Sequence, residues 1–342
     1  MKTRPVLSIL LILLLSLAAR ADDWIVYPAK AGPGSGKHIV LLSGDEEYRG
    51  EEGLPMLAKI LAERHGFKCT VLFAIDKEGF INPNAQTNVP GAEALDSADA
   101  IVMLLRYRAW PNDQLKHFVD AYNRGIPIIG LRTSTHAFNL PGTSAYKSFT
   151  EFGKKVLGEH WVDHWARHKQ EATLGIIEAS SKDDPILRGV ADVFGDTDVY
   201  EAYPPADAKI LLRGQALKGM KPTDPPADYK RKRSTDKQEQ GINDPMMPVA
   251  WTRQPLNEAG KVNRILCTTM GSATDLQNEG LRRMVINAVY WGLKMDVPTK
   301  ADVTYIDDFK PTMYGFNGYR RGLKPADHEI GKVLPQGQAK AQ

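Results

Sequence analysis

The chain has 342 residues, 25% charged and 42% hydrophobic, with 44 Lys and Arg against 41 Asp and Glu. These are the fractions of an ordinary globular protein, long enough for one large α/β domain or two small ones. The nearly balanced charge gives no support to nucleic acid or an anionic membrane as a partner.

Residues 1–21 stand apart. Lys2 and Arg4 precede an apolar run over residues 6–19, and Ala19-Arg20-Ala21 supplies small residues at the spacing of a cleavage site. This pattern predicts a secretory signal peptide cut before Asp22, too short to span a bilayer comfortably. The segment holds Lys2, Arg4 and Arg20 and no acid, so the remaining chain keeps 41 of the 44 basic residues against 41 acids, a net charge of zero. An exported protein with no membrane anchor after cleavage is the expectation. Export permits a disulfide, but Cys69 and Cys267 both sit in apolar, strand-like runs and read as buried free thiols.

Residues 22–36 read as a flexible N-terminus ending in AGPGSG. A buried strand is predicted over 38–43 (HIVLLS), followed by the acidic loop GDEEY. Residues 51–65 have the period of an amphipathic helix, with Leu54, Leu57, Ala58 and Leu61 on one face and Gly66 as its stop. Strands follow over 68–75 and 99–105, then a helix over 111–123 and a strand over 126–131. This alternation implies a parallel sheet with helices on both faces. The second half is less regular. Residues 148–157 read as helical, and 173–179 and 208–213 as strands; 218–244 form a polar insertion read as a solvated loop. Residues 247–252 and 264–270 read as paired strands, and 279–293 as the last helix. Tyr305, Phe309, Tyr314, Phe316 and Tyr319 suggest a tail that packs on the domain to about Lys324, with 332–342 disordered.

In a parallel sheet, ligands sit beyond the carboxyl ends of the strands. Three candidate segments lie there: Asp45-Glu46-Glu47-Tyr48, Arg106-Tyr107-Arg108, and Arg132–His136. The last follows a strand and a glycine, the arrangement of a nucleophile elbow, with Arg132 at the turn. His160, His164 and His168 recur every four residues; on a helix they would share a face that could hold a metal. Ser272, Thr274 and Asp275 follow the strand 264–270, where they could either meet a sugar oxygen or cap a helix. Asp198 and Tyr200 could feed an acid and a phenol into the same cleft.

These motifs, in order, resemble the ThuA-like (trehalose utilisation) family over about residues 37–298. The likeness rests on SGDEEYR (43–49), GLRTSTHAF (130–138), the segment around His164, Asp198-x-Tyr200, and the run from Pro248 to Ser272. It implies a flavodoxin-like, class I glutamine amidotransferase-like fold, an exported bacterial branch, and a carbohydrate or keto-sugar ligand. Amidotransferases carry a nucleophilic cysteine at the elbow. Arg132 stands there instead and cannot form the covalent intermediate, so glutamine amidotransfer is excluded. Many members have His at the elbow and Gly-His after the last strand, where this chain has Arg132 and Gly271-Ser272.

The expected site therefore uses His136 or His164 to move a proton with Glu46 or Glu47 as partner. Arg106, Arg108 and Arg132 hold ligand oxygens or developing negative charge, assisted by Ser134, Tyr200, Ser272 and Asp275. The reaction class stays open among hydrolase, lyase and isomerase, and a non-catalytic sugar-binding module on the same fold is the alternative. No cofactor is expected, with a divalent metal at His160, His164 and His168 as a further alternative.

Overall fold

A computed structural model describes residues 23–334, and the expected signal peptide lies outside them. The chain forms β1 (Trp24–Tyr27), β2 (His38–Gly44), α1 (Gly50–His65), β3 (Lys68–Leu72), β4 (Ala100–Leu105), α2 (Asn112–Asn123) and β5 (Ile128–Leu131). There follow β6 (Asp163–His164), β7 (Thr173–Ile177), β8 (Val193–Gly195), β9 (Tyr200–Glu201) and β10 (Lys209–Ala216). The last elements are β11 (Lys230–Lys232), β12 (Glu239–Gly241), β13 (Met247–Arg253), β14 (Ile265–Thr268) and α3 (Glu279–Gly292).

A 10-stranded sheet runs β1-β3-β2-β4-β5-β14-β13-β10-β7-β8. Its centre, from β3 to β14, is parallel. The other pairings, at both ends, are antiparallel. Every residue of β2 and β4 is buried. Continuous apolar runs are what a strand covered on both faces requires. One core lies between the sheet and α1 with α3, the other between the sheet and α2. Cys69 on β3 and Cys267 on β14 are free and buried, and burial pushes both thiols up.

Four expectations change. The N-terminal stretch is not wholly flexible, because Trp24–Tyr27 pairs with β3 and closes that edge of the sheet. Helix α1 is buried nearly all round rather than on one face. Its outer side is covered by the tail, where Lys59 Nζ reaches Asp307 at 2.6 Å. The polar insertion contains the hairpin β11–β12, whose Arg231 binds the carbonyl of Trp165 at 2.9 Å and the carboxylate of Asp163 at 2.8 Å. It buttresses the histidine segment instead of standing free in solvent. At the chain end, Lys332 is ordered against Ala326 and Glu329. Residues 335–342 lie outside the described chain. Among the described residues no helix is long and apolar enough to cross a membrane.

Candidate functional site at the carboxyl edge of the sheet

The loop after β2 sends two adjacent glutamates in different directions. Asp45 folds it: its buried carboxylate accepts the backbone N–H of Glu47 at 2.8 Å, that of Tyr48, and the Thr133 hydroxyl. Burial pushes Asp45 up and these donors pull it back. Glu46 then turns to Arg108, Gln86 and, at 3.4 Å, Arg106. Glu47 turns the other way, to His168 Nε2 at 3.1 Å and Lys169 Nζ at 3.7 Å.

The elbow geometry is present. Arg132 has φ 39° directly after β5, a left-handed conformation uncommon outside glycine, and its N–H donates to Met270 O at 3.1 Å. The side chain, however, is turned inward and is fully buried. Its guanidinium stands 3.8 Å from the centre of the Tyr200 ring and 4.8 Å from that of Tyr48. It donates to the carbonyls of Asp198 (2.7 Å) and Thr269 (2.6 Å) and to Asp198 Oδ1 (2.8 Å). The elbow positions a buried charge, and does not present a ligand-binding fork.

Asp198 is the hub. Oδ2 accepts from His164 Nδ1 at 2.7 Å and Oδ1 from His168 Nδ1 at 2.9 Å. Burial alone would raise its pKa; the Arg132 charge and the two imidazoles hold it well below the usual carboxylate range instead. The two imidazole centres are 4.3 Å apart. His168 has both ring nitrogens on carboxylates, Asp198 and Glu47, and these raise its pKa against the lowering effect of burial. The same contact, with Lys169 and Arg132, lowers Glu47 against its burial. Nε2 of His164 has no hydrogen-bond partner among the described residues, and the side chain keeps 29% of its surface exposed. With Nδ1–H committed to Asp198, that nitrogen has a lone pair to offer.

The histidine segment is not a helix. His164 lies on β6, opposite Tyr200 of β9. The N–H groups of Trp165 and Ala166 both donate to Val199 O. Lys169 turns the chain at φ 62°. This turn brings His164 and His168 onto one carboxylate, while His160 points away, to Glu159 at 3.1 Å. The trio expected from spacing is thus a pair, with Asp198 as the third member. Among the described residues, His164, His168 and Asp198 form the one group of His, Cys, Asp or Glu, three or more strong, whose donor atoms lie within 4.8 Å of one another.

Several expected binding residues are turned inward. Arg108 is buried on Glu46 and the carbonyls of Pro83 and Arg106. Ser134 donates to Met103 O at 2.9 Å. Asp275 accepts from Gly271, Ser272 and Thr197, and Ser272 Oγ caps the Asp275 N–H, so this pair does the capping job. The buried Tyr200 hydroxyl meets that of Tyr48 at 3.4 Å. These four positions support the site from behind. His136 is separate from the Asp198 hub: its ring lies 4.9 Å from Tyr107 and 5.8 Å from Trp161, and Trp161 is in turn 5.8 Å from His164. Burial, with the positive charges of Arg106 and Arg132, holds His136 well below the usual imidazole range.

The tail supplies walls that no motif announced. Gly315 N–H donates to Glu47 O at 2.7 Å. Tyr314 stacks on Tyr48 at 5.3 Å and stands 5.9 Å from His168. Arg106 lies between Tyr107 (4.7 Å) and Phe316 (5.0 Å). The aromatic run in the tail was the signal available, and it does not say which surface is covered.

The order of these pieces along the chain agrees with a family model described as ThuA, trehalose utilisation, which matches residues 40–292. The chain belongs to the ThuA family. Its fold is the α/β arrangement expected for that family. A ThuA-like protein of known structure from Parabacteroides merdae is 13% identical, with a TM-score of 0.47, over 82% of this chain and 97% of that one. A second, from Bacteroides uniformis, is 15% identical with a TM-score of 0.47, over 79% and 96%. Likeness at this level adds nothing to the reading of the site, and the family assignment rests on the family model. No functionally curated protein matches the chain.

Proposed function

We propose that this ThuA-family protein is exported and acts on a carbohydrate or keto-sugar derivative, with His164 as the group that takes or returns a proton. One observation carries the reading. His164 has Nδ1 fixed by a buried, ionised Asp198 and Nε2 open to the cleft. A carboxylate that orients an imidazole and stabilises its charged form is the working part of many general bases. Arg132 acts one step back, as the positioning residue that keeps Asp198 ionised. Arg106, the partly exposed arginine of the three, is placed to meet ligand oxygens. A carbon next to a keto group is acidic enough for an imidazole to deprotonate when a cation shares the developing enolate charge, and Arg106 would supply that cation.

The test is incubation with a panel of keto-sugars and disaccharides, read by mass spectrometry, for the native chain and His164→Gln. Turnover that His164→Gln lowers by about a hundredfold or more supports the reading. Turnover unaffected by the substitution removes His164 from the role. Saturable binding without turnover favours a non-catalytic sugar-binding module.

The compact His164–His168–Asp198 group favours one second reading, a bound divalent cation. Imidazole nitrogens and a carboxylate oxygen suit zinc or a similar ion. Elemental analysis after purification without chelators tests it. About one ion per chain, lost in His168→Ala, supports a metal site; metal-free protein with full activity ends it.

A further inference from the structure

Beside His136 lies a cavity of about 370 Å³, lined among others by Tyr107, Thr135, Asn139, Glu151 and Lys154. The Asp198 hub does not use it. It is nonetheless joined to the hub through one ring: Trp161 stands 5.8 Å from His136 on one side and 5.8 Å from His164 on the other.

The lining has a definite chemistry. Lys154 is engaged by the buried Glu159 at 2.7 Å, which also takes His160. The carboxylate of Glu151 and the side-chain amide of Asn139 have no protein partner among the described residues, and both are exposed to the cavity's solvent. His136 uses Nδ1 on the Thr135 hydroxyl at 3.2 Å, leaving Nε2 for a ligand. A free carboxylate, a free amide and a free imidazole nitrogen bind pairs of hydroxyl groups well. A carboxylate without a neutralising cation of its own repels a phosphate or carboxylate ligand. The Tyr107 ring adds an apolar face of the kind that covers the C–H side of a sugar ring. Cavities of this volume with a few convergent polar groups are the usual setting for small-molecule binding.

We propose that this cavity is a second subsite of the same cleft, holding the neighbouring ring of a neutral, hydroxyl-rich ligand whose first ring lies against His164. The protein is then built for a disaccharide or glycoside rather than for a single sugar ring. This rests on the carbohydrate reading above and adds where the second ring goes.

Titration calorimetry of the full chain with trehalose, maltose and glucose tests it. At least one disaccharide is expected to bind about tenfold or more tighter than glucose. Thr150→Trp, which places a large ring at the cavity wall, should remove that advantage and leave glucose binding unchanged. Asn139→Ala, at an exposed position, should reduce the advantage severalfold and serves if the Trp variant does not fold. Disaccharides that bind no better than glucose, or variants that weaken glucose and disaccharide alike, overturn the subsite while leaving the His164 reading intact. Absence of saturable binding by any of the three sugars overturns both.

Discussion

Two buried arginine–carboxylate pairs stand at the same sheet edge and do different work. Arg108 with Glu46 is closed: the acid is taken up by Arg108, Arg106 and Gln86, and the guanidinium by two carbonyls. Arg132 with Asp198 is open on one side, because the carboxylate also accepts from two imidazoles that reach the cleft. A buried ion pair is weak support for function on its own. What distinguishes the second pair is a titratable partner with a free nitrogen.

The largest expected effect follows from removing the hub. Asp198→Asn leaves the buried Arg132 charge without its counter-ion and should cost about 3–5 kcal/mol in urea unfolding, with loss of sugar turnover or binding. Arg132→Ala should destabilise on a similar scale, because it strands Asp198 and the Thr269 carbonyl. Glu46→Gln should also lose stability, by about 3 kcal/mol, since Arg108 is as buried as Arg132. It should retain ligand binding in the folded fraction. Equal functional loss in Glu46→Gln and Asp198→Asn would erase the distinction drawn here.

Next in size is the effect on chemistry alone. His164→Gln should leave the thermal midpoint within about 2–4 °C of the native chain while abolishing function. A large drop in the midpoint would show that His164 is structural.

A third imidazole sharpens the comparison from the opposite side. His168 lies between two carboxylates, whereas His328 is buried near Lys59 and Arg320 with an unpartnered Nε2. Burial and those two cations push His328 down to about 3. It is neutral in the folded chain but takes up a proton below about pH 6.5 when unfolded. The unfolded state therefore binds more protons between these values, and stability falls as pH drops below 6.5, by up to about 1.4 kcal/mol per unit. No such loss arises above pH 6.5. His328→Phe, which keeps the stack on Phe73, should flatten the slope between pH 6.5 and 4.5 in denaturant titrations; an unchanged slope would remove His328 as its source.

The smallest effect should come from Phe316→Ala. The ring is 53% exposed, so stability should shift by no more than about 0.5 kcal/mol. Ligand affinity should fall severalfold if Phe316 holds Arg106 toward the cleft, and calorimetry decides this.

The parallel half of the fold was legible from the chain because each buried strand is a short apolar run set off by a helix, a pattern that local sequence carries. Three of the site's parts, Glu47, Arg132 and His164, were legible by the same logic, since polar residues at strand ends share an edge. The histidine repeat misled. Spacing of four suits a helix, but the Val199 carbonyl and Arg231 draw the segment into a bridge and a turn. Asp198, 30 residues beyond His168, carried no local signal of its role. The inward turn of Arg132 was equally invisible, because a positive φ and two tyrosine faces from distant segments set it.

The sequence by itself determined the α/β layering, the reactive edge and the absence of a cysteine nucleophile, all properties of local pattern and residue type. Only the tertiary structure decided which of Glu46 and Glu47 meets an imidazole, which arginines are buried supports, and that the tail walls the cleft. Those outcomes depend on contacts between residues far apart in the chain, where burial and charge pairing outweigh local preference.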